Sequence, residues 1–367
     1  MFSCNRKKNI SIDDSGTIIS TINMNDLQAI KITQYIDSVN FIKLETNADC
    51  LIGNIKSVFF IDNCFFIQDS KTSSILVFNR HGNFLHKINK KGRGPGEYIE
   101  LSKFMIDKNK KNLLIYDGPT KKMLYYSFDG KFIKEISDFS GGDIIRDIIN
   151  IQDGNFLCYT PDFMPNNRWG VWQVDETGKP GDYLINQDTD YPIQIGGMSY
   201  FYELPNDQIG LWCPDLNDIF HFDGRSVEKY MSMKPSRKTV VDFPEVERGA
   251  NNQMVRKYNV EEKGNFLITE WIEGINYLCT SIYLKNKNET VATKGIEYAN
   301  NIGIISGMNV KYNIPNQQLS VLYPHLTLML LEVDSINEDN KRMISSMFKD
   351  EGDNPVLQIM YVTKSTL

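Results

Sequence analysis

Side chains that hold metals are scarce in this chain: its 367 residues include four histidines and six cysteines. No Cys-x-x-Cys pair occurs, and His81, His86, His221 and His325 fall into no ligand-spaced motif, so nothing points to a zinc centre. A Gly-x-Ser-x-Gly elbow is missing, which removes the usual support for Ser/His/Asp hydrolysis. No run of eighteen apolar residues exists, and this excludes a membrane-spanning helix. With a formal charge of −6 and no reader motif, nucleic acid is not an expected partner. The charge is unevenly spread. Residues 1–134 hold 20 Lys+Arg against 13 Asp+Glu, and residues 135–367 hold 20 against 33, so any attraction for anions should come from the amino-terminal third.

What the chain does have is a period. Apolar strands run into glycine turns at Gly82, Gly130, Gly178 and Gly224, separated by 48, 48 and 46 residues. Inside the first two repeats a second spacing agrees, since Asp69 to Gly82 and Asp117 to Gly130 are both 13 residues. A repeat of this length in a β-rich chain predicts four-stranded propeller blades, which cannot bury their faces alone and so form a ring. The recurring Asp at the end of the second strand is expected to bond its own loop backbone.

Six blades fit the length. The sixth has only three strands at the carboxyl end: Gly303-Ile304-Ile305, Leu319 to Tyr323, and Val356 to Tyr361. The segment Val39-Asn40-Phe41-Ile42-Lys43-Leu44 is the expected fourth, closing the ring and removing its exposed edges. Residues 1–30 read as a polar tether and 31–367 as the propeller. A helical insertion is expected at about 334–349, where Ser335 and Glu338 form a capping box and Ile336, Met343, Ile344, Met347 and Phe348 share a face. Cys158 and Cys213 read as core residues, and Cys50 and Cys64 as a pair that a disulfide could join.

Three segments carry a resemblance: Gly92-Arg93-Gly94-Pro95-Gly96-Glu97-Tyr98, the early Phe41-Ile42-Lys43-Leu44-Glu45-Thr46 strand, and the late Asp353-Asn354-Pro355-Val356-Leu357 strand. Together they resemble the six-bladed β-propeller proteins of Bacteroidota, which are NHL-like and often lipoproteins. The resemblance implies an envelope location, periplasmic or at the outer membrane, and implies no reaction. Met1-Phe2-Ser3-Cys4 looks like the end of a lipoprotein signal, which makes Cys4 the expected lipidation site and the sole route to a membrane.

Ligand recognition is expected on the face formed by the second-to-third-strand loops and the blade connections. Arg93, Glu97, Tyr98, Arg168, Trp169 and Trp271 are the candidate binding residues, because arginine and aromatic side chains supply most binding energy when exposed. Gly92 to Tyr98 lacks the Gly-Lys-Ser/Thr ending of a phosphate loop and reads as a tight crossing between blades. Asp69, Asp117, Asp162 and Asp215 are the acids that would hold calcium at the axis if a cofactor were used; otherwise none is expected. The reading is therefore a monomeric, non-enzymatic envelope protein that binds a protein or glycan ligand. Its alternative is a metal-assisted lyase or hydrolase acting on a polysaccharide or lactone at the central funnel.

Overall fold

In a computed structural model of the chain, the described residues are 10–27, 30–31, 35–160, 170–185, 199–213, 216–239, 255–273, 276–293, 296–297, 308–309, 311–333, 336 and 338–362. They form a six-bladed propeller, each blade a four-stranded antiparallel sheet. From the axis outward, blade one consists of Ile55–Ile61, Cys64–Asp69, Ser74–Asn79 and Phe84–Ile88. Blade two repeats it with Lys103–Asp107, Asn112–Asp117, Lys122–Ser127 and Phe132–Ile136. Inner strands begin on the loop face and end at tight turns on the opposite, turn face.

Closure follows the expected scheme. Ile36–Lys43 is the outer strand of blade six and pairs antiparallel with Val356–Val362, bringing Ile42 opposite Leu357 and Asn40 opposite Ile359. Asn354 then clamps the exit. Its Nδ2 donates to the carbonyls of Glu45 (2.7 Å) and Cys50 (2.8 Å), and its Oδ1 accepts from Ile52 N at 2.8 Å. Cys50 is a free buried thiol donating to Glu45 O, so the expected Cys50–Cys64 bridge is absent; each sulfur is held in a different packing layer. Gly303 to Ile305 lie outside the described residues, and the inner strand of blade six is Met308–Asn309. The chain then crosses at Lys311–Tyr312 to run parallel to the inner strand of blade one.

The amino-terminal segment is more than a tether. Ile10–Ile12 and Ile18–Ile22 extend blade four, the latter parallel to its outer strand Val227–Pro235, while Ile30–Lys31 pairs with Ile296–Glu297. With the closing strand these make a belt around blades four to six. Residues 10–24 alternate isoleucines with polar residues, and Ile10, Ile22 and Met24 are buried, because strand alternation needs only every second side chain to be apolar.

The core is a series of layers between blades. Phe59, Phe66, Val77, Phe104, Leu113 and Tyr126 fill the first junction, and Met105, Tyr116, Phe139, Phe156 and Trp172 the second. Each large side chain so buried is worth about 1.5–3 kcal/mol. Gly82, Gly130 and Gly178 belong to these junctions. A Cβ on Gly82 (φ 85°) would lie 2.1 Å from Lys43 O, and one on Gly178 would lie 2.6 Å from Ile136, so each turn rests against the preceding blade's outer strand. Between two strands of blade six, α1 (Pro324–Leu328) and α2 (Glu338–Met347) pack through Ile344, Met347 and Phe348 against Leu322 and Val356. Ser335 lies outside the described residues. The five-residue α1 is too short to leave a periodic signal in the sequence.

Two truncations should separate belt from closure. Removing residues 1–24 strips two edge strands from blade four and should lower the melting temperature while leaving one cooperative transition. Removing 1–45 exposes the edge of Val356–Val362 and should cause aggregation or loss of cooperativity in calorimetry and size-exclusion chromatography. Identical melting of the longer truncation and the full chain would refute the role of the closing strand.

Candidate functional site

The structure places the expected binding residues in different settings. Tyr98 is fully buried, donating to Ser73 O at 2.8 Å. Trp271 is fully buried as well, its indole donating to Ser281 Oγ at 2.9 Å. Neither can meet a ligand, a correction with one cause: large aromatics at blade junctions gain more from burial than from exposure. Glu97 folds back so that its Oε2 accepts from Gly94 N at 2.8 Å, and a Cβ on Gly92 would collide with that carboxylate. The carboxylate thus fills the place a bound anion would take, and the segment serves as the crossing between blades. Arg93 is exposed beside it. Arg168 and Trp169 lie outside the described residues.

Asp69 and Asp117 do bond their own loops, through Thr72 and Thr120, and they also hold the entrance to the inner strand, accepting from Asn54 N (2.8 Å) and Ile99 N (2.9 Å). They are buried and committed. Asp162 and Asp215 lie outside the described residues. Among the described residues no three His, Cys, Asp or Glu side chains gather as they would around a metal.

A different group occupies the axis at its loop-face end. Lys56, Lys103 and Asp147 stand at the start of the inner strands of blades one to three, and Ser199 just before that of blade four. Buried Asp147 is the hub. Its carboxylate pairs with Lys103 and accepts from Ser199 Oγ and Tyr200 N, each at 2.7 Å. Ser199 Oγ in turn accepts from Lys103 Nζ at 3.4 Å and from Lys311 Nζ at 3.3 Å. Lys56, at the rim, donates to Ser102 O at 2.8 Å. The scaffold holds the hub in place: Trp212 Nε1 donates to Ser199 O at 3.1 Å, and Tyr200 lies between Tyr159 and Trp212 with its ring tilted against both.

The charges do not balance. Lys103 acts on both Lys56 and Lys311, and Arg146 also acts on Lys56; Asp147 is the one buried acid among them, while exposed Glu100 acts on Lys56 from the rim. Glu203, which also acts on Lys311, forms an ion pair with Lys108 at 2.6 Å. Lys56 and Lys311 therefore bond only to neutral oxygens among the described residues. The titration behaviour follows. Burial and then the charge of Lys103 push the Lys311 ammonium down to about 8, and the same two causes lower Lys56. Burial alone would raise Asp147, but Lys103, Lys311 and Ser199 outweigh it and hold the carboxyl below its usual range. A small cleft of about 40 Å³ adjoins the cluster; its charged lining is Glu203, Glu261, Lys263 and Lys311, with Lys263 paired to Glu261 at 3.4 Å. Such a site can hold an anion.

Sequence reasoning missed this group because each member looks like an ordinary strand-end residue. The signal was nonetheless present: Lys56, Lys103, Asp147 and Ser199 are separated by 47, 44 and 52 residues, close to the blade period, so they occupy one ring position.

Replacing Asp147 with alanine leaves half-buried Lys103 without its carboxylate and Ser199 and Tyr200 without their acceptor, and should cost about 2–4 kcal/mol in urea denaturation. Because the folded-state pKa is depressed, Asp147 stabilises the protein fully above the unfolded value of about 3.9 and progressively less as pH falls through the folded value. The variant's stability should accordingly fall less steeply on acidification than the parent's. An unchanged acid limb would show that Asp147 is not the titrating hub.

No curated protein matches the chain. Among solved structures, a candidate exported protein from Bacteroides fragilis NCTC 9343 is similar with a TM-score of 0.77 at 21% identity, covering 94% of this chain and 100% of that one. A member of the DUF4221 family from Bacteroides vulgatus is similar with a TM-score of 0.52 at 11% identity, covering 89% and 97%. At these identities the likeness concerns the fold. The sequence itself goes further: residues 14–361 match the model of a domain of unknown function, DUF4934, and the chain belongs to that family.

Proposed function

We propose that the protein is a non-enzymatic binding protein of the cell envelope that captures an anionic group of a glycan or protein at the loop-face mouth of its axis. The observation that carries this reading is the excess of cations around Asp147, in which Lys56 and Lys311 hydrogen-bond only to neutral oxygens among the described residues, with exposed Glu100 near the first and Glu203, already paired with Lys108, near the second. Like charges brought together on half-buried Lys103 and Lys311 are costly, and an incoming carboxylate, sulfate or phosphate relieves that cost. Exposed Arg93 would extend contacts across the same face. The envelope location rests on the lipoprotein-like Met1-Phe2-Ser3-Cys4 and is in keeping with the fold's occurrence in the candidate exported Bacteroides protein.

Binding should be linked to protons. An anion beside Lys311 raises the depressed pKa of its ammonium, so affinity should be greatest below about 8 and fall as pH rises through that value. In calorimetry, a uronic-acid oligosaccharide should bind and a neutral oligosaccharide of equal length should not. Lys311→Met should weaken binding by about tenfold and remove most of its pH dependence. Equal binding of neutral and acidic chains, or pH-independent affinity, would overturn the reading.

Anchoring is tested separately. Expressed from its own gene in its native host, the protein should partition with membranes, and Cys4→Ala should release it. Unchanged fractionation would refute the anchor while leaving the binding reading intact.

A further inference from the structure

The turn face carries two joined cavities that the axial site does not use. The first, about 200 Å³, lies under blade three between the inner turns of blades two and four. The second, about 250 Å³, runs outward to the glycine turn of blade four at Asp223, Gly224 and Arg225. Ile151, Gln152 and Asp153 line both. The hollow exists because the inner strands here are short. Asp147–Asn150 has four residues and Phe201–Glu203 three, against nine in Val255–Lys263, and at about 3.3 Å per residue their turns stop well short of the surrounding rim.

The lining has two characters. Buried Ile106, Leu204 and Ile209 give the first cavity an apolar floor. Gln152, Asp153, Gln173, Asp207 and Arg225 supply walls whose side chains make no hydrogen bond or ion pair with described residues. A carboxylate or amide can engage two neighbouring hydroxyls, a guanidinium can donate to two more, and an apolar floor suits the C–H face of a sugar ring. Most small-molecule sites are about 300–1,000 Å³ and mainly apolar; the two lobes together reach the low end of that range with predominantly polar walls. The geometry points to a second ligand site, for a hydroxyl-rich saccharide of two rings, one ring in each lobe. It is separate from the axial cation cluster: it lies on the opposite face, and the residues tested below, Gln152, Asp153 and Arg225, do not line the axial cleft, although Glu203 borders both.

Saturation-transfer NMR on the full chain with maltose, cellobiose and N,N′-diacetylchitobiose at about 10 mM tests this, a concentration suited to a weak site. At least one disaccharide should show transfer. Gln152→Ala, Asp153→Asn and Arg225→Ala should each weaken that signal, with a loss of affinity of about tenfold in the Asp153→Asn/Arg225→Ala double variant. Asn tolerates the left-handed backbone of Asp153 (φ 60°), so folding should be unchanged, checked by the melting curve. Lys311→Met, which acts at the axis, should leave the signal as it was. Absence of transfer from all three disaccharides, or signal undiminished in the folded double variant, would overturn the proposal.

Discussion

Pairing of Ile36–Lys43 with Val356–Val362 joins the two ends of the chain, and every junction between blades presupposes it. A blade buries its faces only against neighbours on both sides, so an open ring would leave two faces and one edge strand exposed at once. The joint is reinforced where the closing strand leaves blade six. There the single side chain of Asn354 satisfies two carbonyls and one amide of the 45–52 connection. The belt strands ahead of it spread the same fastening over blades four and five, with Ser20 Oγ 2.6 Å from Thr290 Oγ1 of blade five.

Packing at the junctions explains both the regularity of the fold and the fate of its aromatic residues. Turn glycines admit the previous blade's strand at distances no Cβ would allow. Buried indoles then lock the layers through hydrogen bonds to serines: Trp172 to Ser140 Oγ, Trp212 to Ser199 O and Trp271 to Ser281 Oγ. One of these bonds reaches directly into the axial cluster. Trp212 fixes the main chain at Ser199, whose hydroxyl is shared by Asp147, Lys103 and Lys311. The site is therefore placed by core packing, and its cations are held in position whether or not a partner is bound.

The charge asymmetry of the sequence acquires a meaning in this setting. Lys56 and Lys103 come from the basic amino-terminal third, and they meet across the axis with Lys311 from the acidic remainder. The lysine-rich turns at 108–111 serve another purpose, tying neighbouring turns together through Lys108–Glu203 and Lys111–Asp62. The local excess of charge at 108–111 thus gave the right sign but the wrong place, since two of its lysines are bridged on the turn face.

Local signals in the sequence determined the repeat. Strand alternation, the Asp-to-Gly spacing and the missing fourth strand of blade six depend on short-range steric rules and a fixed period, and these specify a closed six-bladed ring without reference to distant contacts. The helix of the last blade was legible for the same reason, through its apolar face. Exposure was not. Tyr98 and Trp271 are ring-bearing residues near loops, and only the approach of another blade decides that they are buried. Likewise nothing near Ile18 or Ile22 says that they will pair with Val227–Pro235, over 200 positions away. The axial cluster is the clearest case: Lys56, Lys103, Asp147, Ser199 and Lys311 are unremarked singly, and they become a site because ring closure brings five separate inner segments to one axis, where burial makes their charges interact.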